Sequence, residues 1–142
     1  MPGISTIDMH TGGEPVRIVV DGVDEVAGDT ILDKRRFAIE HLDGLRRLLM
    51  LEPRGHFDMY GVLPVTPDDP GADLAVLFMH NEGWSTMCGH ATLALGRFAV
   101  DRGIVAAVEP VTTVRLQVPS GTVTVTVDVV DDATGASRYT SM

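Results

Sequence analysis

A chain of 142 residues, 44% hydrophobic and 22% charged, has the make-up of one soluble globular domain with a real core. Its formal net charge is −9, and its densest basic cluster, Lys34-Arg35-Arg36, sits beside acidic residues, so no nucleic-acid partner is expected. Its apolar runs stop well short of the roughly 20 residues a spanning helix needs, so no membrane partner is expected either.

In chain order, residues 4–9 and 15–21 are β-rich on either side of Thr11-Gly12-Gly13. Paired glycines permit positive φ, so a turn between two strands is expected there. Over 33–51, Ala38, Leu42, Leu45 and Leu49 fall on one helical face. Asp29, Thr30 or Asp33 is placed to cap the start of that helix, and Pro53 stops it. Pro64 to Gly71 reads as a loop. Asp73 to Met79 is almost continuously apolar, the pattern of a strand buried on both faces. A helix over 89–102 is apolar nearly all round, which predicts burial nearly all round, and Gly103 ends it. Residues 114–118 and 122–130 alternate β-branched side chains around Pro119-Ser120-Gly121, a hairpin pattern. The sum is an α+β domain, a mostly antiparallel sheet wrapped on one central helix.

Chemistry concentrates in Asn81-Glu82-Gly83-Trp84-Ser85-Thr86-Met87-Cys88-Gly89-His90, between the buried strand and the buried helix. Cys88 is the only cysteine, so it forms no internal disulfide. With an N-terminus that lacks signal-peptide features, this points to a reducing cytoplasm. Cys88 is expected at or just before a helix N-terminus, where unpaired N–H groups and the helix dipole favour negative charge. The thiol is therefore expected to be acidified, and the N–H groups of Gly89 and His90 are candidates to hold a substrate carboxylate. That pairing suits removal of a proton α to a carboxylate, and it calls for no cofactor. The bland alternative makes Cys88 a small buried hydrophobe at a helix cap. A metal is not expected, because His10, His56, His80, His90 and Cys88 lack a compact ligand spacing. Glu14 reads as a turn residue before Pro15, Glu52 as a helix-end residue, and Arg54-Gly55-His56 as either cleft wall or plain loop.

Three separated stretches carry a family resemblance: Asp8-Met9-His10-Thr11-Gly12-Gly13-Glu14-Pro15, Glu52-Pro53-Arg54-Gly55-His56, and His80 through His90. In this order they resemble the motifs of the proline racemase family, with Trp84 where tyrosine is usual. The resemblance implies a fold similar to that of diaminopimelate epimerase, with two α/β lobes, each a sheet wrapped on a central helix, and the active site in the cleft between them. It implies a cofactor-free enzyme acting on a proline-type imino acid. Cys88 matches the first lobe's catalytic cysteine. Gly89 and His90 match backbone donors to the substrate carboxylate, and the His90 side chain is expected to position the ring nitrogen. Residues 1–142 would then be the N-terminal lobe, with the second catalytic position outside them. The stretch from Ala91 to Asp101 resembles the members that dehydrate trans-3-hydroxy-L-proline; proline racemisation and 4-hydroxyproline epimerisation are the alternatives. A lobe alone exposes its cleft face, so a homodimer through that face is a further expectation. The rival classes are a thiol hydrolase forming an acyl-enzyme and an inactive single-lobe fragment.

Overall fold

The computed structural model describes residues 3–131 and 133–141. The chain opens with a hairpin, β1 (Ser5–Thr11) and β2 (Glu14–Asp21), turning on Gly12 and Gly13 at φ 57° and 93°. Both glycines lie in the left-handed region that such a two-residue turn requires. Two short helices follow, α1 (Ile31–His41) and α2 (Asp43–Met50). Thr30 caps α1, its hydroxyl accepting the Asp33 N–H at 3.2 Å. The single helix expected over 33–51 is thus two helices, parted at Leu42 (φ −116°, ψ 12°).

Next come β3 (Tyr60–Val65), β4 (Leu74–His80) and the two-residue β5 (Trp84–Ser85). The buried helix is α3 (Gly89–Asp101), and the chain finishes with β6 (Val111–Val118), β7 (Gly121–Val130) and β8 (Ala133–Ser141). β3, β5 and β8 are additions to the sequence reading; Pro64, read as the start of a loop, lies within β3. The strand order is β1-β2-β3-β4-β6-β7-β8, with β5 paired on β4. Only β2–β3 and β4–β6 are parallel, so the sheet is mostly antiparallel.

Strand alternation sends side chains to two separate cores. On β4, Leu74, Val76 and Phe78 join one core, while Ala75, Leu77 and Met79 join the other. That double burial explains the unbroken apolar run in its sequence. The first core belongs to α3, whose Ala91, Ala94, Leu95, Phe98 and Ala99 meet inward residues of β2, β3, β4, β6 and β7. α3 touches both β1 and β8, the two ends of the strand order, so the sheet curls around it. Gly96 permits the closest approach: a Cβ there would stand 2.4 Å from Val125 Cγ1. The second core is covered by α1 and α2.

Candidate active site

Cys88 is the N-cap of α3, in extended conformation (φ −146°, ψ 111°). β4 brings the chain to this point, and β5 folds it back through the pairs Phe78–Ser85 and Met79–Trp84. The Cys88 carbonyl accepts from the Thr92 N–H at 3.0 Å and the Thr92 hydroxyl at 2.8 Å, which fixes the first turn. The N-terminal hairpin then clamps His90. The Thr11 hydroxyl donates to the His90 carbonyl at 2.8 Å, and His90 Nε2 lies 3.2 Å from the Pro15 carbonyl oxygen. A carbonyl oxygen only accepts, so Nε2 carries the hydrogen and a neutral imidazole leaves Nδ1 bare. That bare nitrogen stands 3.5 Å from Cys88 Sγ.

The thiol is half-buried. Burial pushes its pKa above the ordinary cysteine value and outweighs the backbone N–H groups of Ala91 and His90, which draw it down; the Glu14 charge raises it further. The acidified thiol expected from helix position alone is therefore corrected. Removing a sulfur from water disfavours the anion more than the helix end favours it.

Cys88 opens onto a hollow of ≈ 420 Å³, shared with Phe57, Asp58, Tyr60, His80, Glu82 and Met87. Tyr60 sets its ring edge-on to His90, with centroids 4.6 Å apart. Phe57 is 85% exposed at the rim. A second hollow, of ≈ 370 Å³, lies against the far end of α3 between Val19, Leu63, Phe98 and Ile104, with Asp21 and Arg102 as its charged residues.

The motif residues around the thiol hold up the hollow. Arg46, whose side chain is 8% exposed, pairs with Asp43 at 2.6 Å and donates to the carbonyls of His80 (3.0 Å) and Asn81 (2.6 Å). That guanidinium holds the Asp43 carboxyl below its usual pKa. Trp84 Nε1 donates to the same Asp43 at 3.3 Å. Asn81 Nδ2 donates to the carbonyls of Met50 (2.7 Å) and His56 (3.0 Å). Arg17 takes both oxygens of Asp8 and also donates to the carbonyls of Leu49 and Arg54. Gly55 sits where a Cβ would meet the Met50 carbonyl at 2.3 Å, so only glycine fits under that backbone.

The structure thus gathers Cys88, Gly89 and His90 at one helix end, with the hairpin motif against them. Arg54, Gly55 and His56 do not line the hollow; the Arg54 and His56 carbonyls accept from Arg17 and Asn81, while Phe57 and Asp58 line it. Glu14 stands at the β1–β2 turn opposite Thr11, as expected, and its charge also reaches the thiol. Tyr60 and Phe57 had no place in the sequence reading. The aromatic letters beside the Arg54-Gly55-His56 motif were their only signal, and nothing in linear spacing joins residue 60 to residue 90.

The fold defines a class, the α+β lobes of the diaminopimelate epimerase type, in which the sheet wraps a central helix. Within that class the chain belongs to the proline racemase family, whose sequence model matches residues 6–140. It is 54% identical over 142 residues to a trans-L-3-hydroxyproline dehydratase of Xenopus tropicalis, covering 99% of this chain and 41% of that protein. It is 62% identical over 106 residues to the trans-3-hydroxy-L-proline dehydratase of Homo sapiens, covering 75% of this chain and 30% of that protein. The crystal structure of a probable proline racemase from Agrobacterium radiobacter K84 superposes with a TM-score of 0.90 at 28% identity, over 97% of this chain and 41% of that one. A hydroxyproline epimerase from Agrobacterium vitis, solved with bound trans-4-hydroxy-L-proline, gives 0.89 at 25% identity, over 96% and 41%. The chain therefore spans less than half the length of these relatives. Among the described residues, no helix is long and apolar enough to cross a membrane.

Proposed function

We propose that this chain is the first lobe of a two-lobed enzyme that removes the α-proton of a proline-type imino acid with the Cys88 thiolate, and that the reaction is dehydration of trans-3-hydroxy-L-proline. The observation that carries the reading is the Cys88 sulfur at the α3 N-cap, open to a hollow and 3.5 Å from Nδ1 of His90. Burial keeps the resting sulfur a thiol. His90 Nδ1 accepts its proton, leaving a thiolate beside an imidazolium whose Nε2–H stays on the Pro15 carbonyl. The substrate carboxylate docks on the N–H groups at the start of α3, where Gly89 lets it reach the backbone. The thiolate then takes the α-hydrogen, and the electron pair left on the α-carbon expels the 3-hydroxyl. The reaction so written uses no cofactor.

Dehydration is preferred over racemisation because relatives at 54% and 62% identity are named dehydratases, whereas the racemase and epimerase structures stand at 28% and 25%. The full-length protein containing this chain is the material for the test. It should convert trans-3-hydroxy-L-proline to a pyrroline carboxylate that borohydride reduces to proline. Cys88→Ser should lose at least ~10³-fold in kcat, since a serine hydroxyl is a far weaker base than a thiolate. A Cys88→Ser protein of near-normal rate, or an acyl adduct on Cys88, overturns the reading.

A further inference from the structure

Elimination of water needs an acid as well as a base, because hydroxide is a poor leaving group unless it is protonated as it departs. Tyr60 opens β3 directly across from His80 on β4, and its ring stands 4.6 Å from that of His90 and 6.3 Å from that of His80. It shares the hollow with Cys88. Packing against His90 requires only an aromatic ring. Among the described residues nothing hydrogen-bonds the Tyr60 hydroxyl, which leaves that oxygen free to meet a ligand in the hollow.

The substrate's stereochemistry gives that oxygen a role. In trans-3-hydroxy-L-proline the hydroxyl lies across the ring from the carboxylate and therefore on the same face as the α-hydrogen. The base that takes the hydrogen and the acid that meets the hydroxyl must approach from one side. Cys88 and Tyr60 line one hollow of one lobe.

We propose that Tyr60 is the acid of this elimination, giving its phenolic proton to the 3-hydroxyl as the C–O bond breaks. The inference rests on the dehydratase reading above. In the step, the C2–H bond breaks and its proton goes to the Cys88 sulfur. The C–H electron pair becomes the C2–C3 double bond. The C3–O pair leaves with oxygen, which takes the Tyr60 proton and departs as water. A thiol and a phenolate remain, and the thiol's proton returns to the phenolate, directly or through solvent, regenerating both groups. Burial and the Cys88 charge both push the phenol above the ordinary tyrosine value, so it enters the step protonated even beside a thiolate.

The test is Tyr60→Phe in the full-length protein, on trans-3-hydroxy-L-proline and on trans-3-fluoro-L-proline, whose fluoride leaves without needing a proton. With the hydroxy substrate, product formation should fall about 100-fold or more, the usual worth of a positioned acid. With the fluoro substrate it should stay within about 3-fold, because the acid term is absent there. In D2O, the variant should return unreacted hydroxy substrate carrying deuterium at the α-carbon, since proton removal outlives the lost exit of the hydroxyl. Equal losses on both substrates indicate a packing role and overturn the inference, as does an undiminished rate on the hydroxy substrate. An unsubstituted protein that racemises proline but leaves trans-3-hydroxy-L-proline intact overturns the dehydratase reading instead, and this inference goes with it.

Discussion

Gly96→Ala tests how tightly the sheet is drawn onto α3. A Cβ at Gly96 stands 2.4 Å from Val125 Cγ1 and 3.1 Å from Val127 Cγ2. Both valines are fully buried and β-branched, so neither swings aside. To restore ordinary contact, α3 must lift by roughly 1 Å, and overpacking of this kind costs about 1–3 kcal/mol. Alanine returns up to about 1 kcal/mol through better helix propensity. The net loss should be about 1–2 kcal/mol, a fall in Tm of about 3–7 °C for a chain this long. Thermal unfolding by circular dichroism measures it. Gly89→Ala is the internal control: its Cβ meets only the Tyr139 hydroxyl, at 2.8 Å, the tip of a half-exposed side chain that can move. Its cost should stay below about 0.5 kcal/mol, the range of an ordinary surface substitution. Combining Gly96→Ala with Val125→Ala should cost less than the two changes added, by at least about 1 kcal/mol. A Gly96→Ala chain as stable as the parent, or strict additivity with Val125→Ala, would refute the account of close helix–sheet packing.

Two further outcomes follow from the site. Arg46→Met leaves the His80 and Asn81 carbonyls without their donor and should cost about 2–4 kcal/mol, read as a fall in urea midpoint at unchanged m-value; a loss under about 1 kcal/mol would show that solvent replaces the guanidinium freely. The Cys88 pKa is raised in the folded chain, so iodoacetamide labelling should inflect above the roughly 8.5 of free cysteine, with less than about 3% thiolate at pH 7. By the same sign, the stability this group contributes is whole below the unfolded thiol value and is lost as pH rises from there through the folded value. An inflection below that of free cysteine counts against burial as the dominant influence on the sulfur.

Several elements announced themselves locally. Gly12-Gly13 between two β-rich runs could only turn, and the all-round apolar stretch after Cys88 could only be a buried helix. β3 hid because its Pro64 read as the start of a loop. Pro64 is tolerated because β2 pairs only with Gly61 and Val62, so no ladder N–H is missed further along. Leu42, Leu45 and Leu49 keep one face across the break between α1 and α2, so periodicity alone joined them into one helix. β8 is an outer strand, polar and largely exposed, and gave no alternation to read. At the site, the helix end and Cys88 were legible. The balance of burial against helix field was not, because desolvation depends on the core that Cys88 packs against and on residues such as Tyr60 that share its hollow, all brought from elsewhere in the chain.

The clamp on His90 joins residues 79 and 75 positions apart, Thr11 and Pro15 reaching across to α3. Hairpins close within microseconds, whereas contacts so distant along a chain wait for loop closure and for the parallel joints β2–β3 and β4–β6 to register. The neighbourhood of Cys88 is therefore among the last parts of the molecule to assemble. As the chain's only thiol, its sulfur serves as a built-in clock: in a refolding experiment with pulses of a fast alkylating agent, the moment at which labelling slows marks the packing of Cys88 against the core around α3.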